Sequence, residues 1–153
     1  MTTIKIELDG QEELVRNLSK ISKAVATGIA EDAVTEGAAV VQYNAQLNAT
    51  HVFSNKQTGA LRNSIAYETK QTGTGAEAEI GPSVIYARIQ EYGGTIRPVH
   101  AQALHWVMDG QDYFAKQVTL PARPYLRPAA EDHITEISQV MKETIADGIA
   151  QSI

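Results

Sequence analysis

The spacing of apolar residues changes along this chain, and that change limits what the chain can fold into. From Gln11 to about Asn48, and again from Ile134 onward, apolar side chains recur every three or four residues, as one helix face requires. Between Ile65 and Leu120 several short runs alternate apolar and polar residues, which is typical of half-buried strands. Helices toward both ends and strands in the middle predict an α+β fold.

The N-terminal third is predicted to hold one strand and two helices. Thr3–Asp9 alternates apolar and charged residues, as a short half-buried strand does. The first helix follows from Gln11, and Gly28 is expected to separate it from the second. Small residues around Gly37 would let another helix approach closely, either within the monomer or between subunits. Residues 50–58 show no period and are predicted to form a mobile loop.

Two β-hairpins are predicted in the middle of the chain. The first pairs Ile65–Thr69 with Ala76–Ile80 through a connection that contains two glycines. The second pairs Ala103–Met108 with Tyr113–Leu120 across Asp109-Gly110, a dipeptide suited to a type I′ turn. We therefore expect an antiparallel sheet built of hairpins.

Residues that start and end helices predict a short helix in the middle of the chain and a long one at its end. Ser83 is suited to cap a short helix, which Gly93-Gly94 would end because glycine accepts the left-handed conformation. Leu120–Pro128 contains three prolines, which favour extended or turning backbone, and Pro128 suits the first position of a long final helix. The sheet would pack against the two N-terminal helices and this C-terminal helix.

The composition is that of one globular domain. The chain has 153 residues, 43% of them apolar and 20% charged, so we expect a single domain over residues 1–153. The absence of cysteine excludes disulfides, thiolate metal sites and thiol catalysis. No apolar run approaches the roughly 20 residues of a membrane span, and charges near the N-terminus argue against a secretory signal.

Charge is unevenly distributed around a net value of −5. Residues 131–153 carry five acidic residues and one lysine. A general nucleic-acid binder usually has a basic excess, which this chain lacks. The uneven charge either keeps the protein soluble or forms complementary surfaces between copies. Basic residues gather in the middle of the chain: Arg88, Arg97, Lys116, Arg123 and Arg127.

The sequence shows no persuasive catalytic, cofactor-binding or metal-binding site. His100 and His105 are an odd number of residues apart, so on one strand they would point to opposite faces. The G-x-S-x-G signature of serine hydrolases is absent, and Gly73-Thr-Gly75 lacks the lysine of a phosphate-binding loop. A hydrolase would require folding to bring carboxylates and histidines together, for example Glu91, His100 and Asp109.

Three segments carry a resemblance to a known family. They are Thr58-Gly-Ala-Leu-Arg-Asn-Ser-Ile65, Tyr86-Ala-Arg-Ile-Gln-Glu-Tyr-Gly-Gly94 and Pro121-Ala-Arg-Pro-Tyr-Leu-Arg-Pro-Ala129. In this order and spacing they resemble the tail-completion, or head–tail joining, proteins of long-tailed bacteriophages. They are also similar to the related phage virion-morphogenesis proteins.

The resemblance implies a non-enzymatic structural protein of the virion. Such a protein would be located at the neck or the head-proximal end of the tail, and in the host cytoplasm during assembly. It would form a homo-oligomeric ring, a hexamer, around the DNA channel, through which DNA passes without specific binding. Its partners would be the tail tube or tail terminator protein and the head connector or stopper protein.

A ring needs a surface on each subunit that meets a different surface on the next. The hairpin around Asp109 and Gly110, with Trp106 and Tyr113, is the leading candidate, although Trp106 could instead fill the core of the monomer. Arginines beside proline, glycine or apolar residues are suited to bind carboxylates, with Glu91 as the natural partner, either within the monomer or across the ring. These arginines are Arg62, Arg123 and Arg127. The alternative function is a nucleic-acid binding module that uses the basic centre and Trp106.

Overall fold

The computed structural model describes residues 23–52, 59–72 and 75–152. The predicted strand Thr3–Asp9, most of the first N-terminal helix and residues 53–58 of the predicted loop lie outside these described residues. The described helices are α1 (Lys23–Val52), α2 (Ala60–Ser64), α3 (Ala87–Tyr92), α4 (Leu126–Glu131) and α5 (Ile134–Ser152). The described strands are β1 (Ile65–Gln71), β2 (Ala76–Pro82), β3 (Gly94–Ile96), β4 (Leu104–Met108), β5 (Gln111–Ala115) and β6 (Val118–Leu120). The α+β class is confirmed.

Helix α1 runs without a break through Gly28, so the predicted boundary there is wrong. One glycine inside a helix costs only about 1 kcal/mol relative to alanine, which a long hydrogen-bonded helix can absorb. The helix also continues past Asn48 to Val52, into the segment predicted as a loop. The spacing of the sequence predicts an apolar line on this helix formed by Ile29, Ala33, Ala38, Val41 and Ala45. All of these are buried except Ile29, which is half-buried.

The structure divides into two compact units, and α1 contributes to both. The described part of the first unit contains residues 23–38, 68–72, 75–79 and 135–152. In it, a Cβ built on Gly37 would lie 3.0 Å from the Met141 side chain, and one on Gly148 would lie 2.8 Å from Ile29. The small residues thus serve close packing of α1 against α5 within the monomer.

The second unit contains residues 39–67 and 80–134. Its largest fully buried side chains are Tyr125 and Ile65. Two glutamines of α1 donate hydrogen bonds to the Ile65 carbonyl, at 2.8 Å from Gln42 and 3.2 Å from Gln46. Asn48 donates a hydrogen bond to the Tyr125 carbonyl at 3.1 Å. Polar groups of α1 therefore hold the start of β1 and the start of α4 in this unit.

The described strands form three two-stranded sheets. The first hairpin, β1–β2, and the second, β4–β5, are paired as predicted. Asp109 and Gly110 have φ values of 52° and 78°, as the predicted type I′ turn requires. The predicted strand Tyr113–Leu120 is wrong, because it divides into β5 and β6. Strand β6 leaves the hairpin and pairs antiparallel with β3.

Two of the predicted helix signals require correction. Ser83 precedes α3 without capping it, since Tyr86 is the N-cap residue and makes no side-chain cap hydrogen bond. Gly93 does end α3, with φ of 68°, and a Cβ there would lie 2.6 Å from the Ala122 nitrogen. The final helix is divided by a turn into α4 and α5, and Pro128 occupies the third position of α4.

Candidate interface surfaces

Glu91 is a buried carboxylate that holds the beginning of α4. Glu91 is only 6% exposed. Its Oε2 atom accepts hydrogen bonds from the backbone N–H groups of Tyr125 at 2.8 Å and Leu126 at 3.0 Å. Its Oε1 atom accepts one from the N–H of Arg127 at 3.0 Å. N–H groups in the first turn of a helix have no intrahelical acceptor, so the carboxylate satisfies them and balances their partial positive charge.

Within the monomer, Glu91 does not pair with the side chain of Arg127. Arg127 contributes its backbone N–H to Glu91, whereas its Nε lies 3.9 Å from the carboxylate of Glu131, four residues further along the chain. The Arg127–Glu131 pair is exposed and contributes little to stability. Arg123 is exposed, and its backbone N–H donates to the Gln90 carbonyl at 2.8 Å. Arg62 is exposed in the last turn of α2.

Tyr125 completes this buried region beside Glu91. Burial raises the pKa of the Tyr125 phenol to about 12, and the negative charge of Glu91 adds to the effect. The phenol therefore stays neutral at physiological pH. Its backbone links two elements, because its N–H donates to Glu91 and its carbonyl accepts from Asn48 of α1.

An open pocket of about 290 Å³ lies beside Glu91. Ile85 at its rim is 100% exposed and Tyr92 is 71% exposed. The sequence predicts Tyr92 as an aromatic residue at the edge of the core, and the structure corrects this, because most of Tyr92 is exposed. Pockets with mostly apolar walls and a few charged groups are common binding sites. The residues that line it include Val84, Ile85, Arg88, Glu91, Tyr92 and Leu126.

The β4–β5 hairpin exposes apolar side chains on both faces. On one face the rings of Trp106 and Tyr113 stack with centroids 5.7 Å apart. On the other, His105 and Phe114 stack at 4.7 Å, and His105 Nε2 lies 2.6 Å from Asp112 Oδ1. Trp106 is 38% exposed and Phe114 69%, so Trp106 does not fill a core. An isolated two-stranded hairpin is marginally stable, which makes a covering partner favourable.

The structure places the interface candidates in separate parts of the second unit. Asp109 and Gly110 form the exposed tip of the hairpin that carries Trp106 and Tyr113. Glu91 is brought to the backbone of residues 125–127. Sequence reasoning missed the exposed Ile85 and the pocket beside it. No sequence signal distinguishes an apolar residue that another element covers from one that stays exposed.

The residues considered for a hydrolase are not assembled for that chemistry. Glu91 is buried with both oxygens engaged, whereas His100 and Asp109 are exposed, and neither lines the pocket that Glu91 borders. Within the described ranges, His, Asp and Glu residues form no group of three suited to a metal ion. None of the helices in the same ranges is both long enough and apolar enough to cross a membrane.

Comparison with known families identifies the chain. The family described as bacteriophage HK97-gp10, a tail component, matches residues 12–93, which is more than half of the chain. The protein therefore belongs to this family of phage tail components, in agreement with the resemblance found in its motifs. As a tail component it is a structural protein of the virion. Comparisons with curated proteins and with solved structures found no match.

Proposed function

We propose that this protein is a non-enzymatic ring subunit that joins the phage tail to the head. The ring contains six copies and is located at the neck or the head-proximal end of the tail. One side contacts the tail tube or tail terminator protein, and the other contacts the head connector or stopper protein. Membership of a tail-component family supports a structural role in the virion.

The observation that carries this proposal is the β4–β5 hairpin, whose apolar side chains are exposed on both faces. Val107, Met108 and Phe114 are all exposed, together with the ring of Trp106. Large exposed apolar surfaces mark sites of contact with other molecules. A subunit that meets two neighbours in a ring needs such surfaces, because each copy buries two different patches.

Exposed acidic residues support passage of DNA through the ring without binding. Glu136, Glu143 and Asp147 lie exposed on α5, and Asp132 is exposed just before it. Carboxylates repel phosphates, so an acidic channel wall would let DNA move without adhering. We propose that the lumen of the ring is lined by acidic helical surface of this kind.

Two experiments test the proposal. Electron microscopy of the purified protein, alone and with tail tube or connector protein, should show rings. Phage that lack the protein should accumulate filled heads and separate tails, and supply of the protein in trans should restore joined particles. Virions that assemble normally without it would contradict the proposal. Salt-dependent binding of DNA by the isolated protein would instead favour the nucleic-acid binding alternative.

A further inference from the structure

Two uncovered surfaces of opposite shape lie in the second unit. One is the pocket beside Glu91, here called the Ile85 pocket, with Ile85 and Tyr92 exposed at its rim. The other is the end of the β4–β5 hairpin, here called the hairpin tip, formed by residues 107–114. The first surface is concave, whereas the second is a two-stranded projection. In the monomer, each surface leaves apolar side chains exposed to water.

The two surfaces are also complementary in charge. Arg88 and Glu91 are the charged residues among those that line the Ile85 pocket. The Glu91 charge is taken up by three backbone N–H groups, whereas Arg88 is exposed and presents a positive charge. The hairpin tip carries two exposed carboxylates, Asp109 at the turn and Asp112, whose Oδ1 lies 2.6 Å from His105 Nε2. Opposite charges at the edges of two patches fix their register and favour the correct partner.

We infer that the hairpin tip of one copy of this chain occupies the Ile85 pocket of the next copy. Val107, Met108 and Phe114 would cover Ile85 and Tyr92, and Asp109 would approach Arg88. The contact is head to tail, because the two patches differ, and repetition of such a contact closes a ring when the rotation allows. The inference rests on the proposed function in one respect, namely that copies of this chain contact each other in a ring.

A mixing experiment with two variants tests the inference. Ile85→Arg adds a charge to the pocket rim at a side chain that is 100% exposed, so the fold of the monomer should be unaffected. Val107→Lys adds a charge to the hairpin tip at an exposed residue. Each variant alone should associate about 30-fold or more weakly than the wild type, as expected for loss of a central contact. Sedimentation velocity would show monomers.

An equal mixture of the two variants should form dimers and nothing larger. The pocket variant retains an intact hairpin tip, and the hairpin variant retains an intact Ile85 pocket, so one good contact remains per pair. The other contact would place Arg against Lys and prevents addition of a third copy. The matched control is Val99→Lys, at an apolar residue that is 84% exposed and lies outside both surfaces. It should form rings like the wild type.

Several outcomes would overturn the inference. Rings formed by either variant alone would show that these surfaces do not join the copies, while leaving the proposed ring function intact. A mixture that yields no dimers, or a control that also fails to form rings, would do the same. If Val107→Lys abolished only binding to tail tube or connector protein, the hairpin tip would have a different partner. A wild-type chain that stays monomeric at every concentration would also overturn it, and the deletion phage would then decide the proposed function separately.

Discussion

At the scale of single residues, Glu91 shows how a folded chain satisfies a buried carboxylate with backbone groups. Its two carboxylate oxygens accept hydrogen bonds from the backbone N–H groups of residues 125–127, with N···O distances between 2.8 and 3.0 Å. Hydrogen bonds to a charged acceptor are stronger than neutral ones, and the loss of such an acceptor leaves buried donors unpaired. Glu91 is therefore a positioning residue for α4 and for the wall of the Ile85 pocket.

Replacement of Glu91 by glutamine should lower the free energy of unfolding by about 2–3 kcal/mol. The amide keeps one acceptor oxygen, but its NH₂ group cannot accept a hydrogen bond from the backbone. Urea denaturation followed by circular dichroism would measure the change. Glu131→Gln removes an exposed partner of Arg127 and is the matched control, with an expected loss under about 0.5 kcal/mol. Equal losses of unfolding free energy in the two variants would show that the hydrogen bonds of Glu91 stabilise the fold no more than an exposed ion pair does.

Tyr125 should make stability depend on alkaline pH. Burial and the nearby Glu91 charge raise its pKa from 10.0 to about 12. The folded state therefore holds the phenol proton more tightly than the unfolded state does. The associated stability is fully present below pH 10 and is lost as pH rises through about 12.

Absorbance titration at 295 nm would measure this. One of the six tyrosines should ionise with a midpoint of about 12. Tyr125→Phe should remove that late step and leave the remainder of the titration curve in place. A curve in which the Tyr125→Phe variant retains the late step would assign it to another tyrosine and contradict the prediction.

At the scale of elements, close packing of α1 and α5 depends on glycine. A Cβ at Gly148 would lie 2.8 and 2.9 Å from the Cγ1 and Cγ2 atoms of Ile29, closer than side chains tolerate. A Cβ at Gly28, one residue before Ile29, would meet no atom within 4 Å. The same substitution should therefore act in opposite directions at these two positions.

Gly148→Ala should lower the free energy of unfolding by about 1–3 kcal/mol because the Ile29 side chain must move. Gly28→Ala should raise it by about 0.5–1 kcal/mol, since alanine is the better helix former and the site is open. Thermal denaturation of both variants would measure the two shifts. A gain in stability for Gly148→Ala would show that the helices separate at little cost.

At the scale of the whole molecule, the family match and the uncovered surfaces cover different parts of the chain. The matched residues 12–93 include the residues of α3 and the rim of the Ile85 pocket. They end before the β4–β5 hairpin begins at Leu104. Family membership is thus established on the part of the chain that carries the rim of the pocket, whereas Tyr125 and Leu126, which also line it, lie outside the match. The β4–β5 hairpin lies outside the matched residues, and its role is argued from its own exposed side chains.

Ring assembly should change the fluorescence of Trp106, the one tryptophan in the chain. Trp106 is 38% exposed in the single chain and directly precedes the hairpin tip that is proposed to enter the next subunit. Burial in a subunit contact should shift the emission to shorter wavelength and reduce quenching by acrylamide as protein concentration rises. The Ile85→Arg variant should show neither change. A concentration-independent spectrum in a sample that forms rings would place Trp106 outside the contact.

The sequence by itself determined the local elements and the family. The helix periods, the Asp109-Gly110 turn and the stop at Gly93 depend on residues that are neighbours along the chain, so local rules predict them. The motif Tyr86–Gly94 and its counterparts carried the resemblance that the family match confirms. The predicted helix boundary at Gly28 was wrong because one glycine is a weak signal, and a long helix tolerates it.

Only the tertiary structure decided which residues are covered and what they contact. The partners of Glu91 are backbone groups 34 to 36 residues further along the chain. The periodicity of apolar residues predicts only local structure, so it does not predict contacts at this sequence separation. Apolar character predicts that Ile85 and Trp106 prefer burial, but it does not say whether another element reaches them. Burial depends on the positions of all elements together, and in this chain those positions leave the hairpin and the pocket rim uncovered.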